Sequence, residues 1–198
     1  MNGGERFTPV QPTSVFDLRV GDIGFSTIAG GVGGWVSFGQ WWIRDACRFT
    51  HTFIVVEAGP NGVWVIEAMS RGARLTRLQP GVYSRITAGY AWVRPHLTAE
   101  QLALIPAAAA EYVGVPYGFL TYALLAARRQ GMNTPWLDQA VRDTGFQVCS
   151  QLVAQILADS GFIVLADRDP QEISPGALFY ATDPRVIYTP TKPNRATR

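Results

Sequence analysis

The stretch Thr144–Phe162, TGFQVCSQLVAQILADSGF, sets a cysteine beside a serine where an apolar helical pattern begins. Val148, Leu152, Gln155, Ile156 and Asp159 recur at three- and four-residue steps, and Gly161 supplies a natural C′ stop. Cys149 therefore falls in the first turn, beside the N–H groups that a helix start leaves without partners. The positive end of the helix dipole favours a thiolate there, which suits a nucleophile. The same place also suits a small buried residue, because cysteine is among the most buried residue types. Partners decide between the two. Ser150 lacks an activating neighbour and is expected to bond locally in the first helical turn. Cys47, four residues before His51, is the rival nucleophile, but no helix start is visible around it.

A thiol nucleophile needs a base and a group that orients the base. The chain has two histidines, His51 and His96. His96 follows Pro95 at a strand-to-helix junction and reads as a surface or satisfied histidine. His51 opens the run HTFIVVE, whose hairpin partner is VWVIEAM, with AGPNG between them. A turn over Ala58–Gly62 sets Glu57 opposite Val63 and His51 opposite Met69. Glu67 then lies diagonally from His51 on the same face, at about 7–8 Å between Cα atoms, within reach of an imidazole. A shift of one residue would turn Glu67 to the other face. Glu67, between Trp64, Val65, Ile66 and Ala68, reads equally as an exposed strand residue or a functional one.

The elements that must position these residues follow in order. LRVGDIGFST predicts a first strand through Val20, Ile23 and Phe25, and GARLTRL and GYAWVRP predict two more after the hairpin. Thr98 and Gln101 match a capping box opening an Ala-rich helix that Pro106 should kink or break. YGFLTYALLAARRQG predicts another helix, and EISPGALFYATD a last short strand. Residues 1–17 are expected to form an N-terminal extension, 18–182 the domain, and 183–198 an extended tail. The pattern is α+β, a small antiparallel sheet with helices gathered after it.

Taken together and in order, LRVGDIGF, FTHTFIVVE, VWVIEAMSRGARLTRL, GVPYGFL, FQVCSQLVAQIL and ISPGALF resemble the permuted branch of the NlpC/P60 superfamily of papain-like hydrolases. In that branch the chain order is histidine, acid, cysteine. The resemblance runs from Leu18 to Phe179 and implies a papain-like sheet packed against the helix bearing Cys149. It implies Cys149 as nucleophile, His51 as base and acid, Glu67 as orienting group, and Tyr117 as a contributor to oxyanion or substrate binding. The implied activity is a cysteine peptidase or amidase that cuts amide bonds of peptidoglycan stem peptides. Gly118 departs from the acidic or similarly polar residue often found after that tyrosine. A lipid amide or ester hydrolase, or an acyltransferase, is the competing expectation on the same scaffold.

Composition bounds the rest. Of 198 residues 47% are apolar, enough for a true core, and the net charge is only +2. Lys192 is the sole lysine, and no basic run suggests nucleic acid. The glycines of IAGGVGGWVSFGQ lack the Gly-Lys-Ser/Thr of a phosphate loop. Two histidines and no Cys-x-x-Cys leave a structural zinc site, or any metal or cofactor, unexpected. No signal peptide is visible, and no stretch reaches the ~18 apolar residues of a membrane span. The expected location is cytoplasmic on synthesis, with carriage in a bacteriophage tail or release by lysis as the route to a cell wall. The Trp35–Trp42 segment and the tail from Tyr188 motivate a second reading, a non-enzymatic binding or structural module of a larger assembly.

Overall fold

The computed structural model describes residues 6–27, 47, 49–69, 72–78, 91–116, 149–166, 169–170 and 173–182. Six strands form one antiparallel sheet: β1 (Phe7–Val10), β2 (Ile23–Ser26), β3 (His51–Gly59), β4 (Gly62–Met69), β5 (Gly72–Leu78) and β6 (Ala91–Pro95). Their order across the sheet is β1-β6-β2-β3-β4-β5. Three helices are described, α1 (Ala99–Ala110), α2 (Cys149–Asp159) and α3 (Pro175–Thr182), with a short 3₁₀ turn at Val15–Asp17.

Alternating side chains divide the core between the two faces of the sheet. One face carries Ile23, Phe25, Ile54, Val56, Ile66 and Val93, covered by Leu152, Val153, Ile156 and Leu157 of α2 and by Ala177 and Leu178 of α3. The other carries Phe53, Val55, Val63, Val65 and Trp92, covered by Val15 and Leu18 from the 3₁₀ turn. Gly24 pairs with Phe53 on one side and Trp92 on the other. With no side chain at Gly24, the two rings meet edge-on, 5.3 Å between centroids.

Helix α2 is buried along nearly its whole length and tied at both ends. At its start Ser150 Oγ donates to the carbonyl of Ile173 at 2.6 Å, a bond across the fold and not the local one expected. At its end the Tyr112 hydroxyl donates to Asp159 at 2.6 Å, and Gln101 Nε2 to the Gly161 carbonyl at 2.8 Å. Phe179 of α3 closes an aromatic group with Phe25 and Phe49, at 5.4 and 4.9 Å.

The expected papain-like α+β layout is corrected by these elements. The described residues form a mostly-sheet structure, six antiparallel strands against helices of 12, 11 and 8 residues. Two local readings fed the error. Phe7–Val10, inside the segment expected as an extension, pairs with β6 and lengthens the sheet. The stretch expected as a last strand is α3, because Ser174 Oγ accepts the Ala177 N–H at 3.0 Å and Pro175 opens the first turn, where its missing N–H costs nothing. The helix expected at Tyr117–Gly131, the Trp35–Trp42 segment and the tail at 183–198 lie outside the described residues.

Candidate active site

His51 is the first residue of β3 and is 5% exposed. Its ring lies beside Phe53, 5.8 Å between centroids. Glu67 sits on β4, directly across the ladder from Phe53, so the acid and the histidine are diagonal neighbours on one face. Glu67 Oε2 is 3.0 Å from His51 Nε2. The expected diagonal placement is therefore present, but the turn that was to produce it is not. The hairpin turns between Gly59 and Gly62, pairing Glu57 with Trp64 and Ala58 with Val63. A β-bulge between Val55 and Glu57 then shifts the register by one residue and restores Phe53 opposite Glu67.

The other oxygen of Glu67 belongs to β5. Thr76 Oγ1 donates to Oε1 at 2.6 Å, and Arg74 donates from Nη2 at 3.1 Å and Nε at 3.2 Å. Neither Arg74 nor Thr76 was singled out in the sequence. The available signal was a threonine between an apolar pair, Val63 with Leu78, and a charged pair, Glu67 with Arg74, but that row exists only once the register is known.

Cys149 is the first residue of α2 and is 2% exposed. Its Sγ lies 4.0 Å from the carbonyl oxygen of Thr50, the residue before His51. The helix thus delivers the sulfur to the very start of β3. Cys47 lies outside any described helix or strand, with its thiol donating to the Phe49 carbonyl at 3.1 Å, and neither cysteine forms a disulfide. His96 is held at the far edge of the sheet, its Nε2 2.7 Å from Thr8 Oγ1. Tyr117 lies outside the described residues.

The electrostatics follow from this packing. Burial alone would push the His51 imidazole down, but hydrogen bonding and charge from Cys149 and Glu67 outweigh it and hold the ring up at about 9. Burial likewise pushes the Glu67 carboxyl up, and the bonds from His51, Thr76 and Arg74, with the His51 charge, bring it down to about 2. Nδ1 of His51 is buried and makes no hydrogen bond of standard geometry. A protonated imidazole, a fixed carboxylate and a thiol near the ring are the parts of a nucleophilic acyl-transfer site.

Among solved structures, the fold is similar to the metalloprotein yiiX of Escherichia coli O157:H7, DUF1105. The TM-score is 0.53 at 18% identity, covering 81% of this chain and 91% of that one. At this identity the likeness concerns the fold alone, a mostly-sheet arrangement in place of the papain-like layout expected. No family model matches the chain, and no curated protein does. Among the described residues no helix is long and apolar enough to cross a membrane.

Proposed function

We propose that the protein is a cysteine hydrolase acting on amide bonds, with Cys149 as nucleophile, His51 as general base and acid, and Glu67 as the group that orients His51. The observation that carries this reading is the 3.0 Å bond from His51 Nε2 to Glu67, which leaves the buried Nδ1 for the sulfur. In the first step Cys149, as the thiolate partner of the protonated His51, attacks the carbonyl carbon to form a C–S bond. The Cys149 backbone N–H at the helix start stabilises the oxyanion; one such donor typically contributes about 3 kcal/mol. Collapse breaks the C–N bond, and the amine leaves with the proton from Nδ1. Water, deprotonated by His51, then attacks the thioester, the C–S bond breaks, and sulfur leaves as thiolate beside the reprotonated His51.

The order His51, Glu67, Cys149 along the chain is the one the NlpC/P60 resemblance implies, and it points to peptidoglycan stem peptides as substrate. Tyr117 enters only through that resemblance. The word metalloprotein belongs to yiiX. Among the described residues no three His, Cys, Asp or Glu side chains form a group fit to hold a metal ion, and Glu67 Oε1 is already taken by cationic and hydroxyl donors. The described donor set does not fit a metal.

The test is alkylation of each cysteine at neutral pH, read by peptide mass spectrometry, followed by muropeptide digestion. Cys149 should react faster than Cys47, His51→Ala should slow Cys149 alone, and Cys149→Ala should abolish cleavage. A Cys149 indifferent to His51 would sink the assignment.

A further inference from the structure

The two oxygens of Glu67 have separate duties. Oε2 serves His51, while Oε1 accepts Thr76 Oγ1 at 2.6 Å and Arg74 at 3.1 and 3.2 Å. A carboxylate held by one oxygen alone can turn about its last torsion, which for glutamate is broad and roughly two-fold. Such a turn would lengthen the bond to Nε2 and release the imidazole ring. Here the carboxylate is spanned between β3 and β5, with a partner on each side.

The placement of Thr76 is unusual for its row. On one side its neighbours on this face are Val63, Val65 and Leu78 of the apolar cluster, and on the other are Glu67 and Arg74. Valine would fit the row as well as threonine, so packing does not require the hydroxyl. That hydroxyl makes one of the shorter bonds of the site, to a charged acceptor. Arg74 is directly opposite Glu67, but its side chain is 58% exposed, so water screens its charge. The orienting load falls on Thr76.

We infer that Thr76, assisted by Arg74, is a positioning residue: it fixes the Glu67 carboxylate so that one oxygen faces His51, and thereby holds the imidazole in line with Cys149. Its value to catalysis rests on the hydrolase reading; its effect on the His51 ring does not.

The experiment follows the His51 Nε2 proton by NMR at neutral pH, assigned with His96→Ala because the chain has two histidines. Thr76→Val should still fold cooperatively, with a thermal midpoint lowered by the lost bond, and the Nε2 proton should exchange with water about tenfold faster, the effect of losing one charge-assisted bond. Cleavage should lose kcat at unchanged KM. Thr76→Ser, which keeps the hydroxyl, should restore slow exchange and kcat together. Unchanged exchange in Thr76→Val, or a Thr76→Ser that behaves like Thr76→Val, would overturn the inference, as would the absence of a protected Nε2 proton in the wild type. If exchange responds as expected while no variant cleaves any amide, the positioning role stands and the hydrolase reading falls.

Discussion

Glu67 is paired across the ladder with Phe53, two residues from the histidine it holds. The diagonal is produced by the bulge between Val55 and Glu57. Were the register set by the Gly59–Gly62 turn to run on unbroken, Glu67 would lie opposite Ile54 and share the face covered by α2. It would then point away from His51. One irregular residue in β3 decides which side of the sheet the acid occupies.

Removing the charge of Glu67 while keeping its shape separates its electrostatic role from its packing. In Glu67→Gln the His51 midpoint should fall from about 9 by at least about one pH unit, because burial of the ring is then less opposed. An NMR titration of His51 measures it. A midpoint that does not move would mean that Glu67 does not hold the proton on His51.

Stability should depend on pH in two limbs. His51 is raised above its ordinary 6.5, so its contribution is full below that value and is lost as pH rises through about 9. Glu67 is lowered from 4.5, so its contribution is full above 4.5 and is lost as pH falls through about 2. Urea midpoints measured across pH should therefore be highest between 4.5 and 6.5. Cys149→Ala should weaken the alkaline limb, since Cys149 helps keep His51 protonated.

Away from the site, Asp22 is fully buried and grips Arg94 through two bonds of 2.7 Å. It also accepts the Arg19 N–H at 2.9 Å. Asp22→Asn removes the charge opposite a guanidinium that is 29% exposed, and should cost about 2–3 kcal/mol in urea unfolding. The His51 resonances of the folded variant should be unchanged.

The two rings over Gly24 make a sharper test of the core. A Cβ there would stand 2.3 Å from the Phe53 ring, and Phe53 packs against both Trp92 and His51. Gly24→Ala should destabilise by about 1–3 kcal/mol through overpacking. Gly59→Ala, whose Cβ would meet nothing within 4 Å, should stay within about 0.5 kcal/mol of wild type. Denaturant midpoints of the pair make the comparison.

Some of the fold was legible from local pattern. Alternation marked β3 and β4, the Thr98–Gln101 capping box marked the start of α1, and the three- and four-residue steps marked α2 with Gly161 at φ 81° just past its end. Pro106 does not break α1, which runs on through that residue to Ala110; Pro106 is exposed, and the carbonyl it leaves without a partner can turn to water. The diagonal of His51 and Glu67 was read with the wrong turn, and the bulge made up the missing residue. Nothing local could announce Thr76 or the Asp22–Arg94 pair, whose partners meet only across strands, in the second case 72 residues apart. The last helix was missed because Ser174-Pro175 was read as a strand interior and not as a cap followed by a first turn.

The tie between Ser150 and Ile173, and the seat of Phe179 between Phe25 and Phe49, have a consequence for the order of events at the ribosome. The chain emerges with all six strands by residue 95, while the helix that carries Cys149 and the helix that clamps it arrive only after residue 148. Until then the apolar face under α2 has lost its main cover, and a nascent chain in that state is prone to aggregate. Synthesis itself therefore keeps Cys149 apart from His51 and Glu67 until the helices that follow residue 148 dock.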